Sequence, residues 1–235
     1  VSTEEVKSLL SAHLDPNSVD AFFNLVNDYN TIVGSTGLSG DFTPFTHTDY
    51  DVEKISHLWN QKKGDFVGTN CRINSYCLLK NSVTIPKLEK NDQLLFLDND
   101  AIDKGKVLDS KDKEEFDVLF SRVPTEATTD VKVHAEKMET FFSQFQFNDK
   151  ARMLSVVLHD NLDGEYLFVG HVGVLVPADD GFLFVEKLTF EEPYQAIKFA
   201  SKEDCYKYLG TKYADYTGDG LAKPFIMDND KWVNL

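Results

Sequence analysis

Residues 150–190 constrain the fold most. Three β-branched and aromatic runs, Ala151–His159, Tyr166–Val176 and Phe182–Leu188, are separated by Asp-Asn-Leu-Asp-Gly and Pro-Ala-Asp-Asp-Gly. Such links are too short for a crossover, so consecutive runs can pair only antiparallel. The segment reads as an antiparallel meander.

Upstream the period changes to that of helices. Val6, Leu9 and Leu10, then Val19, Phe22, Phe23 and Val26, recur at three- and four-residue steps through residues 3–31. Asp15-Pro-Asn-Ser18 breaks this stretch in two, with Ser18 expected as the second N-cap. Gly34–Thr48 reads as loop, 51–61 as a short helix through Val52, Ile55 and Leu58, and 130–146 as helix. Between Lys80 and Glu115 the pattern weakens, and Leu94–Leu97 fits a buried strand or a short helix. Ser201–Leu209 reads as a last helix capped by Ser201, followed by an irregular tail. Helices first and strands second predict an α+β fold, with a helical N-terminal half packed on an antiparallel sheet. One domain is expected over 1–235: a helical extension (1–50), a core (51–210) and an irregular tail (211–235).

The net charge of −15 excludes a nucleic-acid partner, because no Lys/Arg cluster offsets it. Three cysteines make no closed disulfide framework. No apolar run is long enough to span a bilayer. The chain begins at Val1 rather than Met, so a trimmed start or a removed leader is expected.

Gly68-Thr-Asn-Cys-Arg-Ile-Asn-Ser-Tyr-Cys77 is the best helix start in the chain. With Thr69 as N-cap, Cys71 falls in the first turn, among N–H groups that lack intrahelical partners. Those donors and the helix dipole lower a thiol pKa, and the same donors can hold an oxyanion. Cys77 lies about 120° away around the helix and is the packing cysteine. A bare cysteine of this kind is more often a small residue filling a helix end, so a base is required.

Among six histidines, His171 stands apart. Leu167-Phe-Val-Gly-His-Val-Gly-Val-Leu-Val176 sets one imidazole in an apolar strand between two glycines, where both ring nitrogens need partners. His159, with Asp160 and Asp163, is the rival cluster. Glu186 on the next run supplies a carboxylate; a salt bridge to Arg152 or Lys187 is its plainer explanation. If Val176 pairs with Phe182, His171 faces Lys187, and a one-residue bulge brings it to Glu186.

Gly-Thr-Asn-Cys71-Arg at a helix start, followed by Gly-His171-Val-Gly-Val-Leu-Val on a sheet, resembles the papain-like thiol hydrolases, in particular the compact NlpC/P60-type cell-wall peptidases and amidases. The resemblance spans about residues 55–190. It implies a papain-like core with Cys71 as nucleophile, His171 as base and Glu186 as orienting group. The chain departs from that pattern in its bulky Arg72 and Ile73 after the cysteine, and in a glutamate where His, Asn, Gln or Asp is usual. An oxyanion side chain is sought among Asn60, Gln61 and Asn70, with Gln61 preferred; Asp65 has the wrong charge. The whole sequence also resembles an uncharacterised family of secreted or lipid-anchored proteins of Gram-positive bacteria, which implies an extracellular or cell-surface location.

The expected function is a cysteine hydrolase cleaving an amide or peptide bond, with a peptide or cell-wall stem peptide as substrate. The alternative is a non-catalytic envelope binding or interaction protein on the same scaffold. A monomer without cofactor is expected. Asp215–Gly220 matches the first half of a calcium loop, but Ile226 stands where the bidentate Glu belongs, and no metal is expected. Asp98-Asn-Asp100 and Asp228-Asn-Asp230 read as solvated turns, Gly34–Gly40 lacks the Lys of a phosphate loop, and Phe141–Phe147 reads as packing between the halves.

Overall fold

The computed structural model describes residues 3–34 and 41–235, so all of the glycine-rich Gly34–Gly40 stretch except Gly34 lies outside the described residues. The chain forms α1 (Thr3–Ser11), α2 (Pro16–Val33), α3 (Val52–Lys63), α4 (Cys71–Leu79), β1 (Val83–Thr84), α5 (Phe96–Gly105), α6 (Ser110–Leu119), β2 (Val123–Pro124), α7 (Val131–Phe142) and β3 (Gln146–Phe147). Then follow β4 (Arg152–Asp160), β5 (Tyr166–Ala178), β6 (Gly181–Lys187), β7 (Tyr194–Phe199), α8 (Lys202–Lys212), β8 (Phe225–Asp228) and β9 (Lys231–Val233). This is a mixed α+β fold in which an N-terminal helical region packs on a C-terminal antiparallel sheet.

Asp15, rather than Ser18, caps α2: its carboxylate accepts from the Ser18 N–H at 3.0 Å. Pro16 takes the first helical position, where a missing N–H costs nothing. The Leu94–Leu97 run resolves as a 3-10 turn leading into α5. Only Leu95 is buried there, while Phe96 and Leu97 are exposed. The expected irregular tail instead holds β8 and β9, and β7 and α6 are further elements that the periodicity did not single out.

The sheet runs β7-β6-β5-β4-β8-β9, with β2 also paired to β5. The β5–β6 hairpin pairs Ala178 with Gly181, Pro177 with Phe182 and Val176 with Leu183, one residue away from the expected register. A one-residue slip turns every side chain to the other face. In the observed register the rung after Val174–Val185 sets Glu186 against Gly173, on the same face as His171. No bulge is needed in this hairpin. The irregularity lies instead on the other side of β5, where Val156 pairs with His171 and Val157 with Val169, leaving Gly170 as the extra residue.

Two hydrophobic clusters occupy the two faces of the sheet. Val172, Val174, Val176, Leu183 and Val185 join the helical half, including α2, α4 and α7, in one core. Leu154, Val156, Leu175 and Phe184 meet Cys205, Leu209 and Tyr213 around α8 on the other. Phe142 and Phe145 are buried in the first core and in edge contact with each other, and Phe145 also meets Phe141 edge-on, so this aromatic run does pack the halves together.

The glycines flanking His171 accommodate side chains. At Gly170 a Cβ would meet Leu158 at 2.3 Å; at Gly173 it would meet the Phe184 ring at 2.3 Å and the Val185 carbonyl at 2.8 Å. The carbonyl cannot swing aside as a flexible side chain can. Gly173→Ala should therefore lower stability by about 1–3 kcal/mol, as overpacking does, and urea unfolding with unchanged m-value is the measurement; a neutral substitution would mean the hairpin yields without strain.

Candidate functional site

Helix α4 is buried on almost every side. Cys71, Ile73, Asn74, Ser75, Tyr76, Cys77, Leu78 and Leu79 are all buried, leaving Arg72 as the exception. Such a helix cannot leave its start to water. Asn70, not Thr69, is the N-cap: its side-chain oxygen accepts from the Ile73 N–H at 3.1 Å. Cys71 is thus the first helical residue, and the unpaired donors of the first turn are its own N–H and that of Arg72.

The Arg72 guanidinium forms a two-pronged pair with Asp98 of α5, Nε to Oδ1 at 2.9 Å and Nη2 to Oδ2 at 2.7 Å. The Asn70 amide donates to the same carboxylate at 2.7 Å. Asp98 is fully buried, which corrects its reading as part of a solvated turn. The sequence does carry the signal, because Asp98, Ala101 and Ile102 share helical spacing on α5. Asp228 is likewise buried, held by Arg152 and the Tyr206 hydroxyl, although Asn229 beside it takes the positive φ of a turn. Arg152 is therefore engaged elsewhere and is not the partner of Glu186.

The β5–β6 pairing ends at Val174–Val185, and the start of α4 occupies the β5 edge beyond it. Arg72 Nη1 donates to the Val169 carbonyl at 2.9 Å, and Ser75 Oγ donates to the Val172 carbonyl at 3.2 Å. The Val172 N–H is among the groups that favour the Cys71 thiolate. Here the thiol, arriving from the helical side, is coupled electrostatically to the His171 imidazole, each favouring the other's charged form.

The other side of that ring is also occupied. His171 Nε2 lies 2.6 Å from Glu186 Oε2, with both side chains buried. Glu186 Oε1 accepts from the Tyr208 hydroxyl and, at 3.4 Å, from Lys212 Nζ, both on α8. Tyr213 stacks on the imidazole with centroids 4.8 Å apart and planes 23° from parallel. Tyr208, Lys212 and Tyr213 escaped the sequence reading. The i, i+4 spacing of Tyr208 and Lys212 was their only local trace.

Electrostatics separate the three cysteines. Burial alone would raise the Cys71 thiol, but the His171 charge and hydrogen bond, Arg72 and the Val172 N–H outweigh it and hold the thiol below its ordinary value. His171 shifts the other way: burial opposes its charge, yet Cys71 and Glu186 raise it to about 9. Glu186, which burial would raise, is held low by His171, Lys212 and Tyr208. Burial pushes Cys77 up to about 12 and raises Cys205 further. All three thiols are free and buried.

The remaining candidates are elsewhere. Gln61 lies on the exposed side of α3, its amide 2.9 Å from His57 Nε2, because the helix continues to Lys63 instead of turning back after residue 61. The side chain of Asn70 is spent on the cap and on Asp98, and Asp65 is exposed beside Lys104. His159 is satisfied by Glu165 at 2.7 Å and the Ala222 N–H at 3.0 Å, while Asp163 pairs with Arg122, so the rival cluster does not assemble. Among the described residues no group of three or more His, Cys, Asp or Glu is arranged to hold a metal ion. None of the described helices is long and apolar enough to cross a membrane.

Removing the carboxylate at Asp98 would strand the largely buried Arg72 charge. Asp98→Ala should cost about 3–5 kcal/mol of unfolding free energy, as breaking one side of a buried pair does. Thermal or urea unfolding measures it, and a loss under about 1 kcal/mol would mean that water replaces the carboxylate.

The family description that matches the chain, over residues 1–233, is a domain of unknown function, DUF4300. No curated protein and no solved structure matches. With the match covering almost the full length, the chain belongs to the DUF4300 family.

Proposed function

We propose that this protein is a cysteine hydrolase that cleaves an amide or peptide bond through Cys71, His171 and Glu186. One observation carries the reading: a single buried imidazole has a carboxylate at Nε2 and shares its remaining polar contact with a helix-start thiol. The helix-start cysteine, the strand histidine and the carboxylate on the next strand follow the order of a papain-like core. A cell-wall stem peptide, met outside the cell or at its surface, is the proposed substrate.

In the reaction the Cys71 thiolate attacks the carbonyl carbon, and the N–H groups of Cys71 and Arg72 receive the oxyanion. The His171 imidazolium gives its proton to the leaving amine as the C–N bond breaks, leaving a thioester. His171 then takes a proton from water; the hydroxide attacks the thioester carbonyl, the C–S bond breaks, the acid departs and the thiolate–imidazolium pair is restored. Glu186 holds the imidazole in orientation and favours its charged form. Arg72, bulky as it is, turns to Asp98 and Val169 instead of covering the sulfur.

The second reading is a binding protein on the same scaffold. Its support is closure: Cys71 is 5% exposed and His171 2%. Thiol chemistry separates the two. A raised imidazole pKa and a lowered thiol pKa together define a window, above the folded value of Cys71 and below about 9 for His171, in which the ion pair persists. At about pH 6.5, where an ordinary thiol is largely protonated, iodoacetamide should alkylate Cys71 well ahead of Cys77 and Cys205. The rate should inflect below the pH at which an ordinary thiol ionises. His171→Ala should slow it about tenfold, equal to about 1.4 kcal/mol, and Glu186→Gln should slow it less. Equal rates at all three cysteines, or an unchanged Cys71 profile in His171→Ala, would remove the hydrolase reading.

A further inference from the structure

Lys187 follows Glu186 on β6 and points to the opposite face, into the helical half. It is 1% exposed, yet among the described residues no carboxylate pairs with its ammonium. Nζ instead donates to three backbone carbonyls of the β6–β7 loop: Thr189 at 2.7 Å, Phe190 at 3.1 Å, and Glu192. The ring centroids of Tyr29 and Tyr194 lie 4.3 Å and 5.4 Å from it. The remaining carbonyl of the series, Glu191, accepts from the Tyr29 hydroxyl. Four consecutive carbonyls are thus turned inward. Three acceptors around one nitrogen match the three hydrogens of an ammonium, whereas a neutral amine brings two.

Such a charge is costly to keep. Burial pushes Lys187 down to about 7, against the pull of Glu191, Glu192 and the Cys71 thiolate. The loop it gathers rests on the segment that leads into the nucleophile. A Cβ on Gly68, which has φ +91°, would sit 3.5 Å from the Phe190 carbonyl. Just beyond the loop, the Tyr194 hydroxyl donates to Asn74 Oδ1 at 2.9 Å and lies 3.4 Å from Thr69 Oγ1. The cage therefore joins the loop to residues 68–74 on both sides of Cys71.

We propose that Lys187 is a positioning residue of the reaction: it draws the Thr189, Phe190 and Glu192 carbonyls onto its ammonium and thereby shapes the wall against which a peptide substrate is seated beside Cys71. This rests on the hydrolase reading above. The ammonium touches neither the reacting bond nor the sulfur; it acts through the loop.

The full chain can be tested with two reagents for the same thiol. Iodoacetamide needs only the thiolate, whereas an alanyl-alanyl chloromethyl ketone must also be seated. In Lys187→Met the chloromethyl ketone rate should fall about tenfold or more, while the iodoacetamide rate measured above its inflection, where the thiol is fully ionised, stays within about twofold. Amide hydrogen exchange of residues 188–194 should accelerate about tenfold with α6 and α7 unchanged. Lys187→Arg, which keeps the cation, should restore part of both effects. Equal slowing of both reagents, or an unchanged loop exchange, overturns the positioning role while leaving the hydrolase reading standing. If iodoacetamide does not single out Cys71 in the unaltered chain, the hydrolase reading falls and the positioning role with it.

Discussion

A helix buried on almost every side must draw most of the partners for its polar start from within the protein, and α4 is such a helix. Its opening turn is capped by Asn70, clamped by the Arg72–Asp98 pair and bonded to the free edge of β5. These contacts tie the helical half to the sheet at one point. A buried ion pair is a weak net source of stability beside a well-packed apolar alternative, but losing one partner is severe. The pair thus fixes where α4 begins more than it strengthens the fold, and the position of the Cys71 thiol depends on that.

The same arrangement explains how residues on opposite faces of one sheet meet. His171 and Glu186 project toward α8, while α4 packs on the other face. The start of α4 reaches β5 beyond the last β5–β6 pair, Val174–Val185. There Cys71 and His171 are coupled electrostatically, and α8 supplies Tyr208 and Lys212 to Glu186 and stacks Tyr213 on the imidazole. Lys187 and Glu186, adjacent in sequence, serve the two faces separately because strand side chains alternate.

The meander, the helical half and the Cys71 helix were legible because each depends on local pattern: period two, period 3.6, and a polar cap before an apolar run. His171 and Glu186 were legible as polar residues out of place in apolar strands. What could not be read was set by distant partners. The hairpin register depended on whether the turn takes two residues or more, and one residue decides the face of Glu186. Asp98 looked like a turn residue until α5 carried it against Arg72. Gln61 was expected over the site, but its helix ran on and held it in solvent. The C-terminal strands are short, and β8 owes its state to pairing with β4 rather than to its own composition.

That pairing has a consequence for how the chain is made. β4 is flanked by β5, which follows it directly, and by β8, which arrives more than sixty residues later. During synthesis the meander can form as soon as its hairpins emerge, yet one margin of β4 stays bare until residues 225–233 leave the ribosome. A bare strand margin recruits other chains, and closing a loop of that length is slow. β8 and β9 therefore act as the seal on the sheet, and a product cut short before Phe225 would carry an open, apolar margin into the crowd of nascent proteins around it.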